Sequence, residues 1–159
     1  MSANHSRDAG PEGGDSLEAS LVATIPPVMR HLLAHARRRP VWEEMTYQQY
    51  NVMRIIELEG PIPQGDIARR LLVSPPVVTR LAASLVEDAL VERVGDPKDR
   101  RSVLLQLTVG GATRVRDMRH ELLAAARELL EPLPRPRRDA LARALGELQV
   151  LLPPVASRR

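Results

Sequence analysis

The sequence predicts a mainly α-helical fold with a small β-wing, built as a winged helix-turn-helix between longer helical segments. Three observations lead to this fold class. Apolar residues recur at helical spacing in segments near both ends of the chain. Two shorter helical patterns meet at a tight turn over residues 72–74. A pair of short β-rich runs then flanks a polar, charged turn, which is the pattern of a hairpin.

The composition is typical of a globular protein and excludes several classes. The 159 residues are 43% hydrophobic and 27% charged, which suits one domain with a buried core. The absence of cysteine excludes disulfides and thiolate metal sites. Residues 1–16 and 153–159 are predicted to be flexible tails. No apolar run reaches the ~18–20 residues of a membrane span and no signal peptide is evident, so we expect no membrane partner and a cytoplasmic location.

The first predicted element is a helix within residues 17–40. Its apolar positions follow a helical period: Leu21, Val22, Ile25, Val28, Met29, Leu32, Leu33 and Ala36. The Pro26-Pro27 pair interrupts this pattern and predicts either a kinked helix or two shorter ones. Thr46 followed by Gln49 fits a capping box, so we expect a second helix to begin there.

The middle of the chain carries the helix-turn-helix pattern. The Gly60–Pro63 segment ends the second helix, and a short helix is predicted over 64–71. Ser74 is a suitable N-cap and Pro75 suits the first helical position. The next helix should therefore run from there to about Asp88.

The last third of the chain predicts a hairpin and two helices. Val91–Val94 and Ser102–Leu107 are strand-like runs on either side of a turn-forming, charged segment. Thr108 can cap a long helix over about 109–131, which a proline-rich segment ends. A final helix is predicted over about 137–152.

The helix after Ser74 has two chemically different faces. At about 100° per residue, Val77, Val78 and Leu85 lie near Leu81 and form an aliphatic face. The opposite face mixes small, hydroxyl and charged residues: Pro76, Thr79, Arg80, Ala83 and Glu87. Small residues allow close approach to a DNA major groove, where Arg and Thr can reach base edges. The alternative is an ordinary surface helix with one exposed arginine.

The turn between the two strand-like runs is basic. The net charge of +3 is too small to indicate nucleic-acid binding, so the placement of basic residues has to decide. Lys98, Arg100 and Arg101 lie together where a β-ribbon can project, and such a tip can contact phosphates or enter a minor groove. Asp99 could orient Arg101 by a charge-assisted hydrogen bond. The alternative is a solvated charged turn.

The stretch from residue 46 to residue 111 resembles the MarR (multiple antibiotic resistance regulator) family. The matching residues are Thr46, Gln49, Ile67-Ala68, Leu71, Val73-Ser74, Val78-Thr79-Arg80-Leu81, Leu85, Leu90-Val91, Arg93, Asp96-Pro97, Asp99-Arg100-Arg101, Leu107-Thr108 and Gly111. The Asp-x-Arg pattern in the turn makes this match more specific than a general helix-turn-helix. The long helices at both ends also fit, since in that family they interlock into a helical dimerisation domain.

The resemblance implies a homodimeric transcriptional regulator, usually a repressor, that binds a near-palindromic site in double-stranded DNA. It assigns 17–40 and 109–152 to dimerisation and 41–108 to the DNA-binding lobe. Carried over, the residues that would face the major groove are Ser74, Pro76, Thr79 and Arg80. Arg101 would enter the minor groove, supported by Asp99. The alternatives are an activator or an unspecific architectural DNA binder of the same fold, and a winged helix that binds protein.

Three features depart from the family pattern. Ala89 stands where the family usually has glycine, and a left-handed conformation there would cost alanine roughly 1 kcal/mol. The consecutive prolines Pro75 and Pro76 leave fewer backbone N–H groups for phosphate at the start of the second helix of the motif. Pro26-Pro27 leaves the detail of the dimer interface open.

The resemblance also implies a small aromatic or phenolic effector in a cleft beside the DNA-binding lobe. Besides Tyr47, the candidate lining consists of His31, His35, Trp42, Tyr50 and Arg54. Residues like Trp42 and Tyr50 are more often core or interface anchors than ligand contacts, and Arg54 could pair with an anionic ligand, with Glu57 or with Glu43. The histidine pair has a metal-binding spacing but lacks further ligands, so we expect no metal. No catalytic constellation or cofactor motif is found, and we expect no enzyme activity and no cofactor.

Overall fold

The computed structural model describes residues 16–99 and 101–152, and within them it contains six α-helices, a 3-10 turn and three short strands. In chain order these are α1 (Leu17–Ala36), the 3-10 turn (Pro40–Trp42), α2 (Tyr47–Glu59), β1 (Ile62–Pro63), α3 (Gln64–Leu71), α4 (Pro75–Glu87), β2 (Val91–Gly95), β3 (Val103–Leu107), α5 (Val109–Leu130) and α6 (Arg135–Leu151). The predicted mainly α-helical fold with a β-wing is confirmed. The tails 1–15 and 153–159 and the predicted contact Arg100 lie outside the described residues.

The N-terminal helix α1 is a single helix that runs through both prolines. The side chain of Ser16 caps it by accepting a hydrogen bond from the Ala19 N–H at 3.1 Å. Pro26 and Pro27 cannot donate to the carbonyls one turn earlier. Those carbonyls lie in the exposed half of α1, where water can bind them. The alternative of two shorter helices is therefore wrong.

Two threonine caps define where α2 and α5 begin. The predicted capping box of α2 is confirmed: Gln49 N–H donates to Thr46 Oγ1 at 3.1 Å, and Thr46 N–H donates to Gln49 Oε1 at 2.8 Å. Thr108 caps α5 by accepting from the Gly111 N–H at 2.9 Å. These bonds satisfy N–H groups that the first helical turn leaves without partners.

The three strands form an antiparallel sheet in the order β1-β3-β2. In the hairpin, Val91 pairs with Leu107 and Gly95 pairs with Val103, so the charged turn closes its far end. Strand β1 adds a third strand at one edge of the sheet by pairing Ile62 with Leu105. The sequence predicted only that the segment around Ile62 ends α2, so this strand is a new finding.

The core lies where α2, α3 and α4 meet the sheet and the first half of α5. Its largest fully buried side chains are Val52, Met53, Ile67, Val78, Leu85, Val91, Leu105, Val115 and Met118. Trp42 joins this core, and its indole N–H donates to the Met118 carbonyl at 3.2 Å. Burial raises the pKa of the neighbouring Tyr50 hydroxyl.

Charged contacts link α1 to α5 and α2 to α3. Arg39 Nε lies 3.3 Å from a Glu121 carboxylate oxygen. His35 Nε2 contacts the carboxylate of Glu128, about two turns further along α5. These contacts fix the C-terminal half of α1 on α5, whereas no residue of α6 is buried. An ion pair between Arg70 and Glu59 joins the ends of α3 and α2.

Candidate nucleic-acid interface

Helix α4 buries one face and exposes the face predicted to meet DNA. Val78, Ala82 and Leu85 are buried, whereas Val77 and Leu81 are half-buried, so the buried face is centred slightly away from Leu81. The opposite face is exposed as predicted: Pro76, Thr79, Arg80, Ala83 and Glu87. The helix therefore presents small side chains and one guanidinium to solvent.

The first turn of α4 is unusual because it offers few backbone donors. Ser74 is the N-cap residue, with Pro75 and Pro76 at the first two helical positions, as the sequence predicted for Pro75. The Ser74 side chain makes no capping hydrogen bond. The two prolines have no N–H, and the Val77 N–H donates to the Ser74 carbonyl at 3.0 Å. The hydroxyl of the exposed Ser74 is therefore free of a capping role.

A buried glutamine holds α4 against α2. Gln49 Nε2 donates to Ser84 Oγ in α4 at 3.0 Å, while Gln49 Oε1 serves the cap of α2. The Gln49 side chain is thus bonded at both ends in a buried position. The capping box predicted only the first of these bonds. Gln49 therefore has a positioning role for α4 that its sequence spacing from Ser84 did not reveal.

The turn at the wing tip is built by two aspartates. Asp96 Oδ1 accepts from the Lys98 N–H at 2.8 Å, and Asp99 Oδ1 accepts from the Arg101 N–H at 2.9 Å. Asp99 Oδ2 also accepts from Ser102 Oγ at 2.9 Å. The Arg101 N–H and then the Ser102 hydroxyl hold the pKa of Asp99 below its usual value.

This geometry corrects the predicted role of Asp99. The sequence predicted that its carboxylate holds the Arg101 side chain, whereas it accepts from the Arg101 backbone N–H. The carboxylate therefore fixes the turn and leaves the guanidinium available for other partners. Lys98 and Arg101 are exposed, and like Arg80 they form no ion pair with any residue in 16–99 or 101–152.

Comparison with known proteins identifies the family. A family model for the MarR family matches residues 44–102, which run from just before α2 to the end of the turn between β2 and β3. An HTH-type transcriptional regulator of Mycobacterium bovis is 30% identical over 135 residues, covering 85% of this chain and 94% of that protein. The chain belongs to the MarR family.

Solved structures agree with this membership. Wild-type MarR from E. coli is 26% identical to this MarR family chain, with a TM-score of 0.66, and the match covers 84% of this chain and 97% of that one. The crystal structure of RV1404 from Mycobacterium tuberculosis has a TM-score of 0.73 at 24% identity, covering 91% and 98%, and supports the fold. As a MarR family member, the protein is a DNA-binding transcriptional regulator.

Ala89, where the chain departs from the glycine usual in the MarR family, lies at the base of the wing. Ala89 follows α4 with a φ of 55°, so the left-handed conformation considered for this position is present. Thr108 Oγ1 donates to the Ala89 carbonyl at 2.8 Å and ties this corner to the start of α5. A Cβ at Gly111 would lie 1.9 Å from the Leu90 carbonyl oxygen, so only glycine fits there. This close approach gives a physical reason for the matching glycine.

The predicted effector residues lie around the junction of α1, the 3-10 turn and α2. Trp42 and Tyr50 are core residues with ring centroids 5.4 Å apart. His31 is exposed and His35 contacts Glu128. Of the partners considered for Arg54, the one it pairs with in the structure is Glu57, by an ion pair within α2. The effector site stays a prediction.

Two cavities lie elsewhere on the lobe. A cleft of about 740 Å³ separates α3 from the wing and includes Asp66, Arg70 and Lys98 in its lining. A smaller cavity of about 170 Å³ lies between α2 and α4. Neither is lined by the predicted effector residues. Across the described ranges we find no cluster of three or more potential metal ligands and no helix long and apolar enough to cross a membrane.

Proposed function

We propose that this regulator acts as a homodimer that represses transcription from a near-palindromic operator. The observation that carries the proposal is the uncovered apolar surface of the terminal helices. It consists of Leu17, Leu21, Val22, Ile25, Leu123, Leu129, Leu141, Leu145, Val150, Leu151 and Leu152, each at least 37% exposed. So much exposed aliphatic surface is unusual for a monomer and is typical of an interface.

Helix α6 gives the strongest support for a second copy. Its 17 residues include none that is buried. In proteins, a helix owes most of its stability to the packing of an apolar face against another element. We assign 17–40 and 109–152 to the dimer interface, where two copies would cover each other's α1 and α6.

The exposed face of α4 and the wing tip would bind the duplex. Ser74, Pro76, Thr79 and Arg80 would face the major groove, with Lys98, Arg100 and Arg101 on phosphates or in the minor groove, and residues 41–108 form this lobe. Lys98 and Arg101, which form no ion pair with any residue that the structure describes, support this assignment. Affinity that depends on phosphate contacts should fall steeply as salt concentration rises.

The proposal that the protein represses transcription, and does not activate it, is supported by a relative. An HTH-type transcriptional repressor of Bacillus subtilis is 28% identical over 114 residues, covering 72% of this chain and 68% of that protein. A dimer bound across a promoter blocks polymerase without catalysing a reaction, so we assign no enzymatic role. A protein that acts on chromosomal DNA in this way works in the cytoplasm.

A small aromatic or anionic effector would release the DNA by acting at the junction between the dimer helices and the lobe. The half-buried Tyr47, stacked on the core ring of Tyr50 at 5.9 Å, and Arg54, which would exchange its Glu57 partner for the ligand, would supply contacts of the required chemistry. A panel of single-ring aromatic acids tests this in a thermal-shift assay with DNA release as the second readout. An effector that acts here must lose its effect in the Arg54→Ala variant.

Light scattering tests the dimer. The wild-type protein should have twice the 17.6 kDa chain mass at micromolar concentration. Leu145→Asp, at 55% exposed on α6, should yield monomers, whereas Leu58→Asp, at 58% exposed on α2, should leave the dimer intact. A monomeric wild-type protein contradicts the proposal.

Footprinting of the region upstream of its own gene tests the DNA site. A regulator of this kind should protect a discrete two-fold site at moderate salt. Protection spread evenly along the fragment would favour an architectural binder, and no salt-dependent binding at all would favour a protein-binding module.

A further inference from the structure

The start of α4 lacks the groups by which a helix N-terminus usually binds phosphate. Of the four N–H groups that an α-helix leaves free at this end, two are absent at Pro75 and Pro76. A third, on Val77, is bonded to the Ser74 carbonyl at 3.0 Å. The remaining exposed surface of this turn consists of the two proline rings and the Ser74 side chain. Beyond the Ser74 hydroxyl, the entry of α4 is therefore an aliphatic surface with few backbone donors.

The next exposed turn of α4 continues this aliphatic character. Thr79 Oγ1 donates its proton to the Pro75 carbonyl at 3.1 Å, so the hydroxyl proton is used within the helix. The methyl groups of Thr79 and Ala83 are the apolar groups that this exposed turn offers to a partner. Arg80 is the only cation on this face, and it has no ion pair within the described ranges.

Such a face suits one kind of base edge better than the others. In the major groove, every base offers hydrogen-bonding atoms, but only thymine adds a C5-methyl group. An aliphatic surface pressed on polar edges would desolvate them without bonding them, which is unfavourable. Pressed on thymine methyls, the same surface buries apolar area on both sides. A guanidinium beside it is suited to the two acceptors of guanine.

We propose that α4 reads its half-site chiefly by contact of Pro76, Thr79 and Ala83 with thymine methyl groups, next to a guanine bound by Arg80. This inference rests on the proposed function, since it requires that α4 enters the major groove. It goes further by stating which chemical group of the operator carries specificity. It also states that the start of the helix supplies little phosphate binding of its own.

Deoxyuridine substitution tests this most directly, because uracil lacks only the methyl group of thymine. The full-length protein is titrated by fluorescence anisotropy into its footprinted operator, with each thymine of one half-site replaced in turn. Loss of one buried methyl should weaken binding about fourfold at one or two positions per half-site. Replacement at the matching positions of both half-sites should weaken it about sixteenfold.

A protein variant links the effect to the helix. Thr79→Ser keeps the hydroxyl and removes one methyl, so it should reduce the preference for thymine over uracil at one of the sensitive positions. Glu87→Gln, further along the same face, should leave that preference unchanged. Equal affinity for every uracil-substituted operator, with footprint and salt dependence intact, overturns the inference and leaves the proposed function standing. Absence of any specific footprint overturns both.

Discussion

Ala89 holds a left-handed backbone conformation that glycine would adopt without strain, so Ala89→Gly should stabilise the protein. The φ of 55° places its Cβ close to the following carbonyl, which costs an L-residue roughly 1–2 kcal/mol. Glycine loses about 0.5–1 kcal/mol more backbone entropy on folding, which offsets part of the gain. We therefore expect the free energy of unfolding to rise by about 0.5–1 kcal/mol, or about 1–4 °C in Tm.

Thermal unfolding followed by circular dichroism measures this change, at one fixed protein concentration because the Tm of the proposed dimer would depend on concentration. The matched control is Ala83→Gly, in the exposed middle of α4, which should lower stability by about 1 kcal/mol. Leu72→Gly should act like Ala89→Gly, because Leu72 has a φ of 53° and its side chain is 92% exposed. Equal losses for Ala89→Gly and Ala83→Gly would refute the reasoning about the backbone.

Four further substitutions test the interface and the wing. Arg101→Ala should weaken operator binding strongly in a gel-shift assay without lowering Tm, and unchanged binding would remove the wing from the interface. Arg80→Ala should cost roughly 1–3 kcal/mol and relax sequence preference, whereas an equal loss on unrelated sequences would make Arg80 a phosphate contact. Gly111→Ala should lower stability by about 2 kcal/mol or more, because its Cβ overlaps a backbone oxygen at 1.9 Å, while Gly110→Ala, with its nearest neighbour at 3.7 Å, serves as the control. Because the folded pKa of Asp99 is lowered, its support of the turn is present above the unfolded carboxyl pKa and is lost as pH falls through the folded value. The protection factor of the Arg101 amide, its intrinsic exchange rate divided by the observed rate at the same pH, should therefore fall in acid, and Asp99→Ala should remove this pH dependence.

Short-range chemistry predicted most of the element boundaries. The threonine caps at Thr46 and Thr108 and the N-cap at Ser74 lie where the sequence placed them, because a cap is decided within four residues. The exposed face of α4 also followed from helical period. In α1 the same local reasoning could not choose between one kinked helix and two shorter ones. The structure has one helix, in which the carbonyls that the prolines leave unbonded are exposed to water.

Features that depend on residues distant in sequence were missed. Strand β1 has only two residues, and it exists because Ile62 pairs with Leu105 in β3. The bond from Gln49 to Ser84 spans 35 positions and has no local signature. The sequence placed the acidic Asp99 near the basic Arg101. Whether the carboxylate accepts from the Arg101 backbone N–H or from its guanidinium depends on the geometry of the turn.

The number of protein chains on one operator tests the central claim most directly. Native mass spectrometry of the complex with the footprinted duplex should give two protomers per duplex, because the proposed dimer covers α6, in which no residue is buried, with a second copy. A complex of one protomer per duplex, formed at full affinity and sequence preference, would contradict the account.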